Sequence, residues 1–460
     1  MATSLAGGVL DRQNADGLIL ALVSLQQWTP FYWEQDRFGM LVPLLTNALD
    51  DPFATLAAQH ALTSFFGLMA FFGLSRFALG RGGPWFAAGA FSATAYAVTH
   101  PSNDTLFYYL STIQPSGTSL ALAAGALVAW REDAKPTAAR VAVGSALALL
   151  AIWVNVAAAV FLLVTLLADR ALHRGASAPS WAAEGATLAS LGAIELAMVS
   201  SPYGTNYGPL SPEEWPAAAA AFLSSAASGY LGAGLGLALL AGAFVSTALA
   251  WRSELPWRRP LAIGAGAVAY LCAFAVLAWT EGNARYALLP FAALTAAVSI
   301  IPLQSLHSRT RRGVIEVLAT VALITTMMLR FGPPEPERSR RELHERFGAA
   351  TPELLASGVS HLFGDYWHVW PAVFHTNWVL HDLGRPQSAF GVTFRSNPTR
   401  AQWEGTLDCD TRVAILGPLP VDWVRSRRVL EGGRLEVLEE GREMNLAIVR
   451  CADAGDEPVR

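Results

Sequence analysis

Long apolar runs separated by short polar breaks govern this sequence, and their lengths match the thickness of a bilayer. Between Arg140 and Asp169 no charged residue occurs, and between Arg81 and Arg131 only Asp104 does. Runs of about 18 or more apolar residues form membrane helices, because lipid offers the backbone no hydrogen-bond partner and the helix supplies its own. The pattern predicts eleven spans, at 16–32, 58–75, 84–99, 117–130, 140–154, 156–168, 182–200, 229–250, 260–279, 286–303 and 313–330. The run 140–168 is longer than one span requires, and Asn155 in "IWVNVAA" predicts a turn that divides it.

Positive charge supports the division. With it, thirteen Arg and Lys residues, among them Arg76, Arg131, Arg170, Arg259 and Arg312, fall in loops on one side. The loops of the other side hold only Arg37 and Arg285. Basic loops mark the cytoplasmic face, so the N-terminus is expected inside and the C-terminus outside. The first apolar run leads into aromatics, not a small-residue cleavage site, so it is read as an uncleaved span. The outer loops are then 31–57, 100–116 and 201–228. Within the last, "SPEEWPAAAAAFLSSAASGY" predicts a short helix lying in the interface, with Trp215 and Tyr230 at headgroup depth.

After Arg330 the pattern changes. A Pro-rich exit and a charged amphipathic stretch open a segment, 331–460, long enough for one small domain. "SAFGVTF", "TRVAILG" and "MNLAIVRC" read as short buried strands with helices between them, which predicts an α/β layout. The expected division is 1–330 for the transmembrane domain and 331–460 for an extracytoplasmic one. Outside the cytoplasm, a Cys409–Cys451 disulfide is permitted. Composition agrees with a membrane protein: 53% of residues are hydrophobic and 15% charged, against about 25% charged in soluble domains. No basic tract suggests nucleic acid.

Few polar residues are left as candidates for chemistry. Glu34 and Asp36 stand in "FYWEQDRFGMLVPLL", where an apolar segment resumes directly after them. That arrangement holds the carboxylates beside the membrane surface, where partial desolvation raises their basicity and suits a general base. The bland alternative is a solvated helix end. Arg285, in "TEGNARYALLPF", is a lone outer guanidinium whose planar fork suits a lipid phosphate, or an interfacial arginine with no ligand. His100, Asn103 and Asp104 share a loop on the same side, in a turn-forming context that also suits a second acid or a sugar ligand. Glu195 lies inside a span, where ionisable groups are costly and often functional; it is expected to line the same cavity or to pair with Arg285. "GDYWHVWPAVFHTNW" gathers Tyr366, Trp367, Trp370 and Trp378 around Asp365, as a sugar-binding cluster or as domain core.

These residues together resemble the GT-C superfamily of integral-membrane glycosyltransferases, which includes the protein O-mannosyltransferases and the lipid A aminoarabinose transferases. The likeness covers the whole plan, from an acidic first outer loop through about a dozen spans to a trailing outer domain. "WEQDRFG" is similar to the family's catalytic-acid loop, "ARYALLPFAAL" to its Arg-Tyr-Leu-Leu-Pro span start, and "GDYWHVWPAVF" to an Asp-Tyr-Trp segment of some bacterial members. The resemblance implies transfer of a sugar from a polyprenyl-phosphate donor to a lipid, glycan or protein acceptor at the outer face of a bacterial inner membrane. It implies Asp36 as the general base, with inversion; Glu34 or Asp104 orienting the acceptor; and Arg285, with Tyr286 beside it, on the donor phosphate. Gln35 separates the two acids where the mannosyltransferases have an adjacent Asp-Glu pair, which leaves the identity of the base open. No cofactor is implied, and metal dependence stays open. A transporter of lipid-linked saccharide, or a glycan-assembly partner without catalysis, are the competing readings. The first lacks the internal repeats usual in transporters.

Overall fold

The computed structural model describes residues 13–33, 39–99, 106, 109–110, 116–131, 137–172, 179–199, 211–230, 258–277, 287–301, 303, 309–333, 335–393, 408–417, 433–440 and 444–451. Helices dominate them, followed by a small C-terminal sheet. The helices that precede the sheet region are α1 Ala15–Leu25, α2 Leu41–Thr46, α3 Pro52–Leu79, α4 Trp85–Thr99, α5 Ser116–Arg131, α6 Ala138–Val154, α7 Ala158–Leu172, α8 Pro179–Val199, α9 Trp215–Tyr230, α10 Arg258–Leu277, α11 Leu288–Ile300 and α12 Arg309–Phe331. Among the described residues, three helices are long and apolar enough to cross a membrane, within α3, α8 and α12. Of the span expected at 229–250, residues 231–250 lie outside the described residues.

Local chemistry sets the boundaries of these helices. Asp51 caps α3, its carboxylate accepting from the Phe53 and Ala54 amides at 2.8 and 3.1 Å, and Pro52 fills the first turn where no amide is needed. Gly80, at φ 68°, ends α3. Asn155 is extended and its side chain accepts from the Ala157 amide, so α6 and α7 are separate helices, as the turn in the sequence predicts. They run in opposite directions. Ser119 near the start of α5 bonds to the Ala151 carbonyl near the end of α6, while Asp169 at the end of α7 pairs with Arg259. Glycines bring α3 and α5 into backbone contact: a Cβ on Gly117 would lie 2.8 Å from the Gly67 Cα, and one on Gly73 2.8 Å from the Ala124 Cβ. Small residues serve this purpose in lipid, where close packing replaces the hydrophobic effect between helices.

The charges sort by end. Asp169 is buried against Arg259, which also donates to the Phe77 carbonyl at 3.0 Å, and Arg170 bonds to Glu184 at 2.8 Å while stacking on Trp181. The other end of the bundle carries the C-terminal residues: Arg330 of α12 donates to the Val98 carbonyl at the end of α4.

The C-terminal region contains α13 Pro336–Phe347, α14 Thr351–Ser357, β1 His361–Gly364, α15 Tyr366–Asp382, β2 Phe390–Thr393, β3 Arg412–Leu416, β4 Gly433–Glu440 and β5 Met444–Cys451. The strands make one five-stranded sheet in the order β2-β1-β3-β5-β4, parallel between β1 and its two neighbours and antiparallel elsewhere. Strand β4 stands where the sequence predicts helix, and β1 lies ahead of the strands that the sequence predicts. β1 has only four residues, all buried, too few for a periodic signal. β4 is an edge strand that buries Leu435 and turns Glu436 to solvent, the alternation of a half-covered strand. Cys409 is disulfide-bonded, and the Asp410 amide on the Val449 carbonyl sets its segment against β5; the Cys451 side chain lies outside the described residues.

The largest departure from expectation is α1. The sequence predicts a span at 16–32, yet the helix has 11 residues, about 16 Å at 1.5 Å per residue and well short of a bilayer core. Leu18, Ile19 and Leu22 are fully buried, and they share one hydrophobic core with Trp370, Val373, Phe374, Val413 and Ala447 of the C-terminal region. Hydropathy reports that a segment avoids water; it does not report whether lipid or protein covers it.

Candidate active site

The acidic loop is held by both of its stems. Phe31 and Gly39 pair across its base in an antiparallel bridge, and the Met40 amide donates to the Pro30 carbonyl at 3.1 Å. Trp153, next to the α6–α7 turn, grips both strands of this base. Its indole donates to the Pro30 carbonyl at 2.9 Å, and its carbonyl accepts from the Gly39 amide at 2.8 Å. Only glycine fits at 39, since a Cβ there would come within 2.6 Å of the Trp153 ring. Glu34 and Asp36 lie between these stems and outside the described residues.

The first stem is also bound to the C-terminal region. The Tyr32 hydroxyl is 2.7 Å from that of Tyr366, which donates to an Asp16 carboxylate oxygen at 2.7 Å. Trp33 packs on Trp370 with ring centroids 5.8 Å apart, and Gln26 donates to the Ala389 carbonyl ahead of β2. Trp370 and Trp378 are fully buried and Tyr366 nearly so, so "GDYWHVWPAVFHTNW" is mainly domain core. Asp365 caps α15 through the Trp367 amide and also accepts from His368.

Two further predicted loops open close together at the same end of the bundle. His100, Asn103 and Asp104 follow α4, and Arg285 and Tyr286 precede α11; all five lie outside the described residues. Their flanks meet: the Tyr96 hydroxyl donates to the Leu288 carbonyl at 3.4 Å, and Tyr96 packs on Tyr109 at 4.9 Å and on Phe71 at 5.4 Å. Tyr109 closes the group by donating to the Gly67 carbonyl of α3. Of the residues predicted to act on substrate, Glu195 falls among the described ones. It is exposed on α8 beside Leu196, while its neighbour Ile194 faces inward. No group of three or more His, Cys, Asp or Glu among the described residues could hold a metal ion. The sequence gives no sign that Trp153, Tyr32, Tyr366 and Asp16 are anchors, because each contact joins segments far apart in the chain.

No family model matches the sequence, and no curated protein matches it. Among solved structures, ArnT from Cupriavidus metallidurans bound to undecaprenyl phosphate superposes with a TM-score of 0.51 at 13% identity, over 98% of this chain and 95% of its own. ArnT from the same organism in the apo state gives a TM-score of 0.51 at 13% identity, over 96% and 93%. The chain has the fold of ArnT. ArnT is an aminoarabinose transferase of the GT-C superfamily, the group that the acidic loop, the Arg285 span start and the Asp365-Tyr366-Trp367 segment resemble in sequence. The ArnT likeness runs through both the helical bundle and the C-terminal sheet; the described residues are mostly helical, with three helices long and apolar enough to cross a membrane and a small C-terminal α/β region.

Proposed function

We propose that this protein is a membrane glycosyltransferase that moves a sugar from a polyprenyl-phosphate donor to an acceptor at the outer face of a bacterial inner membrane. The observation that carries the reading is the anchoring of the acidic loop. In a chain with the fold of ArnT, the base of residues 31–39 is fixed between the helical bundle and the C-terminal region. A carboxylate held at such a junction is available to an acceptor arriving from outside and to a lipid-borne donor arriving from the bilayer.

In this scheme the acceptor hydroxyl oxygen attacks the anomeric carbon and Asp36 takes its proton. The bond from that carbon to the phosphate oxygen breaks, with inversion, and polyprenyl phosphate leaves. Arg285 holds the phosphate, whose charge grows along the reaction, and Tyr286 stands next to it as a second donor. Glu34 orients the acceptor, and His100, Asn103 and Asp104 supply polar contacts to the sugars. Glu195, exposed on α8, is not needed. Residues 331–460 form the outer domain. The disulfide at Cys409 suits an oxidising compartment, and the arginines at the far end of the bundle suit the cytoplasmic face.

The test uses detergent-solubilised full-length protein, a polyprenyl-phosphate sugar and a panel of acceptors, with released polyprenyl phosphate as the readout. Asp36→Asn is expected to lower turnover by about 10²- to 10⁴-fold, the range for a lost general base, with melting temperature unchanged. Full turnover in both Asp36→Asn and Glu34→Gln would sink the assignment.

A further inference from the structure

The C-terminal region reaches the acidic loop through a hydrogen-bonded chain, buried at its two tyrosines, whose direction can be read. The Tyr366 hydroxyl carries one proton and donates it to Asp16 at 2.7 Å. Toward Tyr32, also at 2.7 Å, it therefore accepts. The chain runs Tyr32 O–H to Tyr366 O–H to the Asp16 carboxylate, and ties together three segments: the loop stem, the first turn of α15, and α1. Burial first, then the neighbouring Tyr32 and Asp16, hold the Tyr366 hydroxyl well above the ordinary tyrosine value, so it stays a donor at all physiological pH. Trp33, one residue before the acidic segment, adds an apolar contact to the fully buried Trp370. Trp153 of the bundle clamps the base of both stems, through the Pro30 carbonyl and the Gly39 amide. The C-terminal region thus adds a second hold on the first stem alone, at Tyr32 and Trp33, beyond the base that the bundle clamps.

We propose that Tyr366 is a positioning residue for catalysis. Through Tyr32 it fixes the first stem of the acidic loop, so the C-terminal region sets the aim of the base without touching substrate. This rests on the reading of residues 34–36 as the catalytic carboxylates. Core packing alone does not explain a tyrosine here: its ring is already covered, and phenylalanine would fill the same space without placing two hydroxyls in the interior.

The experiment compares wild type with Tyr366→Phe, Tyr32→Phe, the double variant and Asp36→Asn, all full-length. Tyr366→Phe is expected to lower kcat about tenfold, the scale of one lost buried hydrogen bond, with the donor KM within twofold. Three readouts separate positioning from a merely smaller folded fraction. Amide exchange in the peptide spanning 31–39 should rise about tenfold while exchange in α3 is unchanged. The acid limb of the pH–rate profile should move, since a displaced carboxylate meets a different environment. The double variant should be no slower than Tyr366→Phe, because both changes cut one chain. Asp16→Ala, which removes the acceptor and keeps the ring contacts, should give the same pattern and covers the case in which Tyr366→Phe folds poorly. If Tyr366→Phe and Asp16→Ala keep the wild-type profile and loop exchange while Asp36→Asn is inactive, the positioning role is overturned and the catalytic reading stands. If Asp36→Asn is fully active, the catalytic reading is the one that fails.

Discussion

His375 is buried in α15, with one ring nitrogen 2.7 Å from His344 and the other 2.7 Å from the Thr351 hydroxyl. Burial, and then repulsion from His344, push its pKa from 6.5 down to about 4. The sign of the consequence is fixed by that depression. Between pH 6.5 and about 4 the unfolded chain takes up a proton that the folded chain refuses, so stability falls as pH drops through that window and is level above it. Melting temperature should therefore decline from pH 7 to 4.5, and His375→Gln, which keeps hydrogen-bonding capacity, should flatten the decline. A second prediction concerns Gly39, where a Cβ would come within 2.6 Å of the Trp153 ring. Gly39→Ala is expected to cost about 1–3 kcal/mol, the range for overpacking. It should also lower transferase turnover, as read by polyprenyl-phosphate release, because it pushes the second stem off its anchor.

At the scale of elements, the helix ends are legible in the sequence wherever a side chain acts on its own backbone. Asp51 with Pro52, Thr137, Asn155 and Gly80 all mark boundaries locally. The short helix around Trp215 is legible from its apolar run and the Pro at its second position. What cannot be read there is what each element packs against. α1 looks like a span because Leu18, Ile19 and Leu22 avoid water, and only the fold reveals that Trp370 and Phe374 cover them. The acidic loop stands out by its charges, but its anchors do not, since Tyr32 and Tyr366 are separated by 334 positions. Close packing of α3 on α5 gives a prediction at this scale. Gly117→Val must push apart backbones so close that even a Cβ would come within 2.8 Å of the Gly67 Cα. It should lower the thermal midpoint by several degrees, while Gly192→Val, in open space on α8, should leave it unchanged.

Across the whole molecule, the proposed orientation makes a direct prediction. A membrane-impermeant thiol reagent should label a Cys placed at Ser211 from outside intact cells, and one placed at Thr137 only after permeabilisation; the reverse pattern would invert the map. The shared core of α1 and the C-terminal region also has a consequence for biosynthesis. Leu22 leaves the ribosome early, while Trp378 of the same core follows 356 residues later. At roughly 5–20 residues per second, that is on the order of 20–70 s during which the oily face of α1 has no native cover. Through that interval it must rest on lipid or on a chaperone, then leave that shelter to meet a segment made much later. The chain can thus complete its bundle and still not be folded, and a truncation that spares every predicted span should leave α1 stranded and the protein prone to degradation.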